Sequence, residues 1–201
     1  GLTKVLAGIV IAPIGGIIFG LLLTTLIITV FASRKPGPVN KTFGKLQIIS
    51  SAWFALTHGA NDGQKTMGII VLILFSAGMI PELDMPLWVV FAAASAMGLG
   101  TFFGGYKVIK TLGVKITKLR PYQGFAAETG GGLMLAIFAV FGIPASTTHA
   151  ITGTIMGSGA ARRKRAVRWK VSRQIVFSWV ITIPGAAAMG IGFTYLIHLF
   201  V

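Results

Sequence analysis

The chain has 201 residues, of which 54% are hydrophobic and only 11% charged, with a formal net charge of +14 and no cysteine. A soluble domain averages about 25% charged residues, so the composition excludes that class, and the missing thiols exclude disulfides and thiolate metal sites. The mean hydropathy of +0.84 predicts an all-α integral membrane protein, multi-pass in the cell membrane.

The first apolar block, Val5 to Ala32, runs 28 residues without a charge. It exceeds the roughly 7–15 residues of a signal-peptide core and is read as a leading transmembrane helix over 5–32. A chain that begins at Gly1 rather than Met is expected to be a fragment or a processed product. The remainder, 43–201, reads as one unit carrying two polar motifs, "GAND" and "PASTT". Segment 43–80 is expected to cross the membrane as two half-helices, about Leu46–Gly59 and Thr66–Ile80, with the polar stretch "GANDGQK" between them. Each half has roughly 15 residues, about 22 Å, which is short of a hydrocarbon core of about 30 Å. Leu87–Tyr106 supplies an uncharged span of 20 residues. There Ala92, Ala96, Gly100 and Gly104 form a stripe of small residues suited to close helix contact.

Segment 122–161 is expected to be the second interrupted helix. Its apolar run Gly124–Gly142 meets "IPASTTHAITG", where Pro144 biases Ile143 away from helix. A short piece over about His149–Ala160 follows, capped by Thr147 or Thr148. The last block, Gln174–Val201, again has 28 uncharged residues, with Pro184 expected to kink it and His198 expected at the interface. About six transmembrane segments result, two of them interrupted.

Charge fixes the orientation. Of 18 Lys and Arg, 16 lie in three stretches: four in Arg34–Lys45, five in Lys107–Arg120 and seven in Arg162–Arg173. The intervening loop Pro81–Pro86 carries Glu82 and Asp84 and no base. This asymmetry predicts cytoplasmic basic stretches beside anionic lipid and an external acidic loop. It also argues against a nucleic-acid partner for "RRKR" at 162–165.

Within the membrane, polar residues stand out. A carboxylate at mid-membrane costs about 2.5–3.5 kcal/mol on insertion scales, so Asp62, beside Asn61, asks for a compensating cation or hydrogen-bond network. A helix cap would not require its charge. Ser146, Thr147 and Thr148 precede a half-helix whose N-terminus carries about half a positive charge and favours anions. Two such N-termini, after residue 65 and after residue 148, are expected to face one midplane pocket, an arrangement known in transporters with broken helices. Glu128 is the other intramembrane acid. Lys65 can neutralise an anion or pair with Asp62. His58 and His149 flank the motifs and are read as packing residues. A Ser146–His149–Asp62 hydrolase triad lacks the strand-turn-helix elbow that presents a nucleophilic serine, so no enzyme is expected.

The stretches "HGANDGQKTMGII", "RPYQGFAAETGGG", "GIPASTTHAITGTIMGSG" and "RRKRAVRWKVSRQIVFSWVITIPGA", in that order, resemble the PiT family of inorganic phosphate transporters. The resemblance runs from about residue 10 to the end. It implies a secondary transporter moving phosphate with Na⁺ or H⁺, built from two inverted copies of one unit, of which this chain matches the second. The partner is then the missing first copy or a second copy of this chain, and a homo-oligomer is expected. By the resemblance, phosphate binds Asn61, Asp62, Ser146, Thr147 and Thr148, and Na⁺ binds Asn61, Asp62 and Thr148. Glu128, Lys65 and Gln64 serve transport. Ala145 replaces a hydroxyl often found at its position in the family. No cofactor is implied beyond the transported ions. Sulfate is the rival substrate, and Asp62 as acceptor for a phosphate proton tilts the choice to phosphate. A non-transporting subunit would keep the fold without the acids. A channel would need a ring of repeated charge.

Overall fold

The computed structural model describes residues 2–198, with side chains from residue 3, and it is helical almost throughout, with no strand among the described residues. The helices are α1 (Leu2–Val30), α2 (Pro36–Ser76), α3 (Leu87–Lys110), α4 (Pro121–Val140), α5 (Thr147–Arg162) and α6 (Trp169–His198). A π-helical turn, Thr111–Ile116, prolongs α3, and a 3₁₀ turn, Lys164–Ala166, follows α5. Two compact units result, the first ending at Val167 and the second, beginning at Arg168, consisting of α6. Among the described residues, four helical segments are long and apolar enough to cross a membrane: Thr3–Val30, Leu87–Ile116, Pro121–Val140 and Trp169–His198. The 16 residues of α5 extend only about 24 Å.

The expected break in segment 43–80 is absent. α2 is one continuous helix of 41 residues passing through "GANDGQK". No proline lies between Pro38 and Pro81, so no backbone donor is lost. Glycine and Asn weaken a helix without ending it. The polar side chains here find partners on neighbouring helices, described below. α2 ends instead at Ser76. Gly78, with φ +69°, closes it by the bonds Gly78 N to Phe75 O (3.0 Å) and Met79 N to Leu74 O (2.9 Å), a Schellman motif that needs left-handed backbone.

The second expected break is present and built the same way. Gly142 has φ +59°, and the amides of Gly142 and Ile143 donate to Ala139 O and Phe138 O at 3.1 and 2.9 Å. Pro144 follows, and α5 restarts at Thr147. The N-cap is Ser146, not Thr147 or Thr148: Ser146 is extended (φ −82°, ψ 116°) and its hydroxyl accepts from the His149 amide. Thr147, as the first helical residue, is left free to turn its side chain elsewhere.

α1 and α5 pack through small residues. Gly8, Ala12, Gly16, Gly20 and Thr24, four apart on α1, are all buried. A Cβ on Gly16 would lie 2.6 Å from the Ala150 carbonyl oxygen, and one on Gly20 would lie 2.8 Å from Thr154 Cα. On α5, a Cβ on Gly157 would lie 2.9 Å from Leu21 N. The helices therefore touch backbone to backbone, the GxxxG mode of membrane packing. Ser158 Oγ crosses the contact to Gly20 O at 3.2 Å, and Gln123 Nε2 joins α4 to the same turn through Ser158 O at 2.8 Å. The expected stripe on α3 is not this contact: Ala92, Ala96, Gly100 and Gly104 are exposed, and a Cβ on Gly100 or Gly104 would meet nothing within 4 Å.

α2 lies against α4. The ring of Phe54 and the indole of Trp53 fill the space left by Gly131 and Gly132. Phe43 stacks edge-on against Phe31 and Phe125 at centroid distances of 5.4 and 5.3 Å. The central apolar cluster is Ala12, Met134, Leu135, Phe138, Ala145 and Ala150. It fixes the α4–α5 break, which contains Ala145, between α1 and the polar turn of α2.

Candidate functional site

Phe43, Gln47, Ser50, Phe54, His58, Asp62 and Lys65 follow one another along α2 at spacings of three or four, within about a third of its circumference. This face meets α4 toward its beginning and the start of α5 further on. It carries two carboxylate-centred clusters.

The first cluster is built on Asp62. Thr147 Oγ1, at the start of α5, donates to Asp62 Oδ2 at 2.8 Å. Lys65, one turn along α2, donates to Asp62 Oδ1 at 3.0 Å. The same ammonium donates to the carbonyl oxygen of Ala145 in the α4–α5 break. His58, one turn earlier, places Nε2 at 3.6 Å from Asp62 Oδ2. The Asp62 side chain remains 29% exposed, so the carboxylate is hydrogen-bonded to two neighbours, Thr147 and Lys65, and still open to an incoming ion. The Asp62 carbonyl stays engaged in the helix and accepts from the Thr66 hydroxyl at 3.2 Å.

The electrostatics at this point are set by α5. Its first helical bond runs from the Ala150 amide to Ser146 O at 3.0 Å, so the amides of Thr147 and Thr148 lie before the intrahelical ladder begins. A helix start of this kind carries partial positive charge and favours an anion. The "GAND" and "ASTT" stretches thus meet at one place. Since α2 is continuous, one helix N-terminus lies beside Asp62, rather than the two expected. Asp62 and Lys65 are presented from the middle of a helix.

The second cluster is built on Glu128 of α4. Ser50 Oγ donates to Glu128 Oε2, and Gln47 Nε2 donates to Glu128 Oε1 at 3.3 Å. Gly124, one turn before Glu128, makes room for the Gln47 amide. Ser50 precedes Asp62 by 12 positions, about 18 Å along the helix, so Glu128 belongs to a different part of the α2 face from Asp62.

Of the residues singled out from sequence, the structure gathers Asp62, Lys65, Ser146 and Thr147. Thr148, adjacent in α5, is exposed, as is Gln64, and Asn61 is half-buried beside Asp62. His149 is buried and hydrogen-bonded to the backbone of Ile9. The residues not anticipated are Gln47, Ser50 and the Ala145 carbonyl. A continuous 3.6-residue reading of 43–65 would have put Gln47 and Ser50 on the Asp62 face. The Ala145 carbonyl has no sequence signal.

The family described as "Phosphate transporter family" matches residues 31–190. A protein of Rhizobium meliloti (strain 1021) described as "Probable low-affinity inorganic phosphate transporter" is 50% identical over 188 residues, covering 93% of this chain and 56% of that protein. One of Bacillus subtilis (strain 168) with the same description is 39% identical over 191 residues, covering 94% and 57% respectively. The chain spans about half the length of the curated relatives it matches. The solved structure of "The sodium-dependent phosphate transporter" superposes with a TM-score of 0.65 at 24% identity, over 86% of this chain and 52% of that one, which shows a shared fold.

Proposed function

Because the chain belongs to the phosphate transporter family, we propose that it forms one half of a multi-pass secondary transporter that carries inorganic phosphate together with Na⁺. The observation that carries this reading is the hydrogen bond from Thr147 to Asp62. It puts a carboxylate, a hydroxyl and a helix N-terminus within reach of one ligand pair. Asp62, the Ala145 carbonyl and the Thr147 hydroxyl are hard oxygen donors suited to a small cation. The first-turn amides of α5, with the Thr147 and Thr148 side chains, suit phosphate oxygens. Each ion offsets the charge of the other, which is the physical basis for moving them together.

The relatives' descriptions support phosphate as substrate, and the name of the structural neighbour favours Na⁺. A phosphate that retains one proton can donate it to a carboxylate, whereas sulfate cannot, so Asp62 favours phosphate. Proton coupling is the second reading. It is favoured by Glu128, whose carboxylate faces the neutral donors Gln47 and Ser50. The other half of the pathway comes from a preceding copy of the unit or from a second copy of this chain.

The test is Na⁺-driven phosphate uptake by the full-length transporter in proteoliposomes. Thr147→Val combined with Thr148→Val is expected to raise the phosphate KM about ten-fold or more, the loss of one to two charge-assisted hydrogen bonds. The protein should remain folded, since Ser146 still caps α5. An unchanged KM would contradict the assignment.

A further inference from the structure

We propose that Lys65 is a tethered cation that occupies the coupling-ion position until the ion arrives, and that its displacement creates the positive charge that recruits phosphate. The proposal rests on the symport reading above and adds an order of events to it.

The Lys65 ammonium sits between Asp62 Oδ1, at 3.0 Å, and the carbonyl oxygen of Ala145. The other carboxylate oxygen is held by Thr147. One carboxylate oxygen from α2 and one carbonyl oxygen from the α4–α5 break form the kind of oxygen pair a small monovalent cation uses. Two cations cannot share that pair, because they would face each other at contact distance with like charge. Entry of Na⁺ between Asp62 and Ala145 therefore requires the ammonium to leave.

Departure is easy for this side chain. Lys65 is 40% exposed, and a lysine carries its charge on a flexible four-carbon stem. Before exchange, Asp62 and Lys65 together are neutral. Afterwards the carboxylate is balanced by Na⁺ and the ammonium is free, so the site carries one net positive charge beside the start of α5. That is the location already favourable to an anion. The exchange makes phosphate affinity depend on the cation, and by linkage makes cation affinity depend on phosphate. It also gives the i,i+3 spacing of Asp62 and Lys65 a purpose beyond stabilising α2.

The test uses the purified full-length transporter. Radioactive Na⁺ binding is measured without phosphate, and phosphate uptake is measured at saturating Na⁺. Lys65→Met removes the competing charge and keeps the apolar stem. Its Na⁺ half-saturation concentration is expected to fall about five-fold, the worth of a partly exposed ion pair, while its phosphate KM rises. Lys65→Arg retains the competitor and is expected to bind Na⁺ no more tightly than wild type. Lys65→Gln serves as a second neutral variant if the Met variant folds poorly. Unchanged or weaker Na⁺ binding in the folded neutral variant would overturn the tethered-cation role and leave the symport reading standing. Wild-type protein that neither binds Na⁺ nor shows Na⁺-dependent uptake would overturn the symport reading, and this proposal with it.

Discussion

Asp62→Asn is expected to reduce Na⁺-driven phosphate uptake at least about 30-fold in the full-length transporter while leaving the protein folded. The substitution preserves size and removes the charge that Lys65 and Thr147 address. Removing one partner from a hydrogen-bonded charge pair costs about 2 kcal/mol or more, and each 1.4 kcal/mol is ten-fold. Folding should survive because α2 is continuous through residue 62 and its backbone ladder does not use the Asp62 side chain. The assay is radioactive phosphate uptake into proteoliposomes driven by an inwardly directed Na⁺ gradient, with thermal unfolding in detergent as the control. Normal uptake with unaltered Na⁺ dependence would remove Asp62 from the site.

Gly157→Ala should produce the largest loss of stability. The new Cβ would lie 2.9 Å from both the Ile17 carbonyl carbon and Leu21 N, and closer still to the Ile17 carbonyl oxygen. These are backbone atoms of α1, so no side chain can swing away, and the helices must part. Overpacking typically costs about 1–3 kcal/mol, and the rigid neighbours place this case at the upper end. The apparent Tm should fall by several degrees. Gly44→Ala, in α2, where a Cβ meets nothing within 4 Å, should not lower the Tm. Equal effects at the two positions would mean that α1 and α5 do not approach this closely. Transport should also suffer, because α5 carries Thr147 and α1 holds α5 in place.

The legible parts of the fold were those dictated by backbone chemistry local to the residues. Uncharged blocks announced α1, α3 and α6. Pro144 announced the α4–α5 break because a proline ring removes a donor and constrains the residue before it. The polar turn of α2 departs from its sequence pattern for the converse reason. "GANDGQK" has the composition of a loop, but none of its residues prevents helix, and the groups that accommodate its polarity belong to α5 and the preceding break. The misplaced packing stripe has a similar origin. Four-residue spacing of small side chains marks a face that permits close approach without naming what approaches. Gly16 and Gly20 carry the same signal as Gly100 and Gly104, and only the former pair meets a facing glycine helix within this chain.

The candidate site was legible as a set of residue types and less so as a geometry. Asp62 and the 146–148 hydroxyls were recognisable because charge and hydroxyls are costly and conspicuous among apolar residues. Lys65 was recognisable as a partner for Asp62. Its second bond, to Ala145 O, depends on the backbone path after Gly142, whose left-handed turn the sequence only permits. The separation of Glu128 from Asp62 required knowing that α2 is unbroken, since a continuous helix sets their spacing along one rigid rod.

The central claim is that the polar turn of α2 and the start of α5 form one site. Cysteine pairs test it most directly, because this chain contains no cysteine of its own. In a cysteine-free full-length background, Asp62→Cys with Thr147→Cys should be joined by a short bifunctional methanethiosulfonate, seen as a linked peptide by mass spectrometry. Ser50→Cys with Glu128→Cys, a pair in side-chain contact, provides the positive control. A linked 62–147 peptide is the predicted result, and linkage at 50–128 without linkage at 62–147 would contradict it.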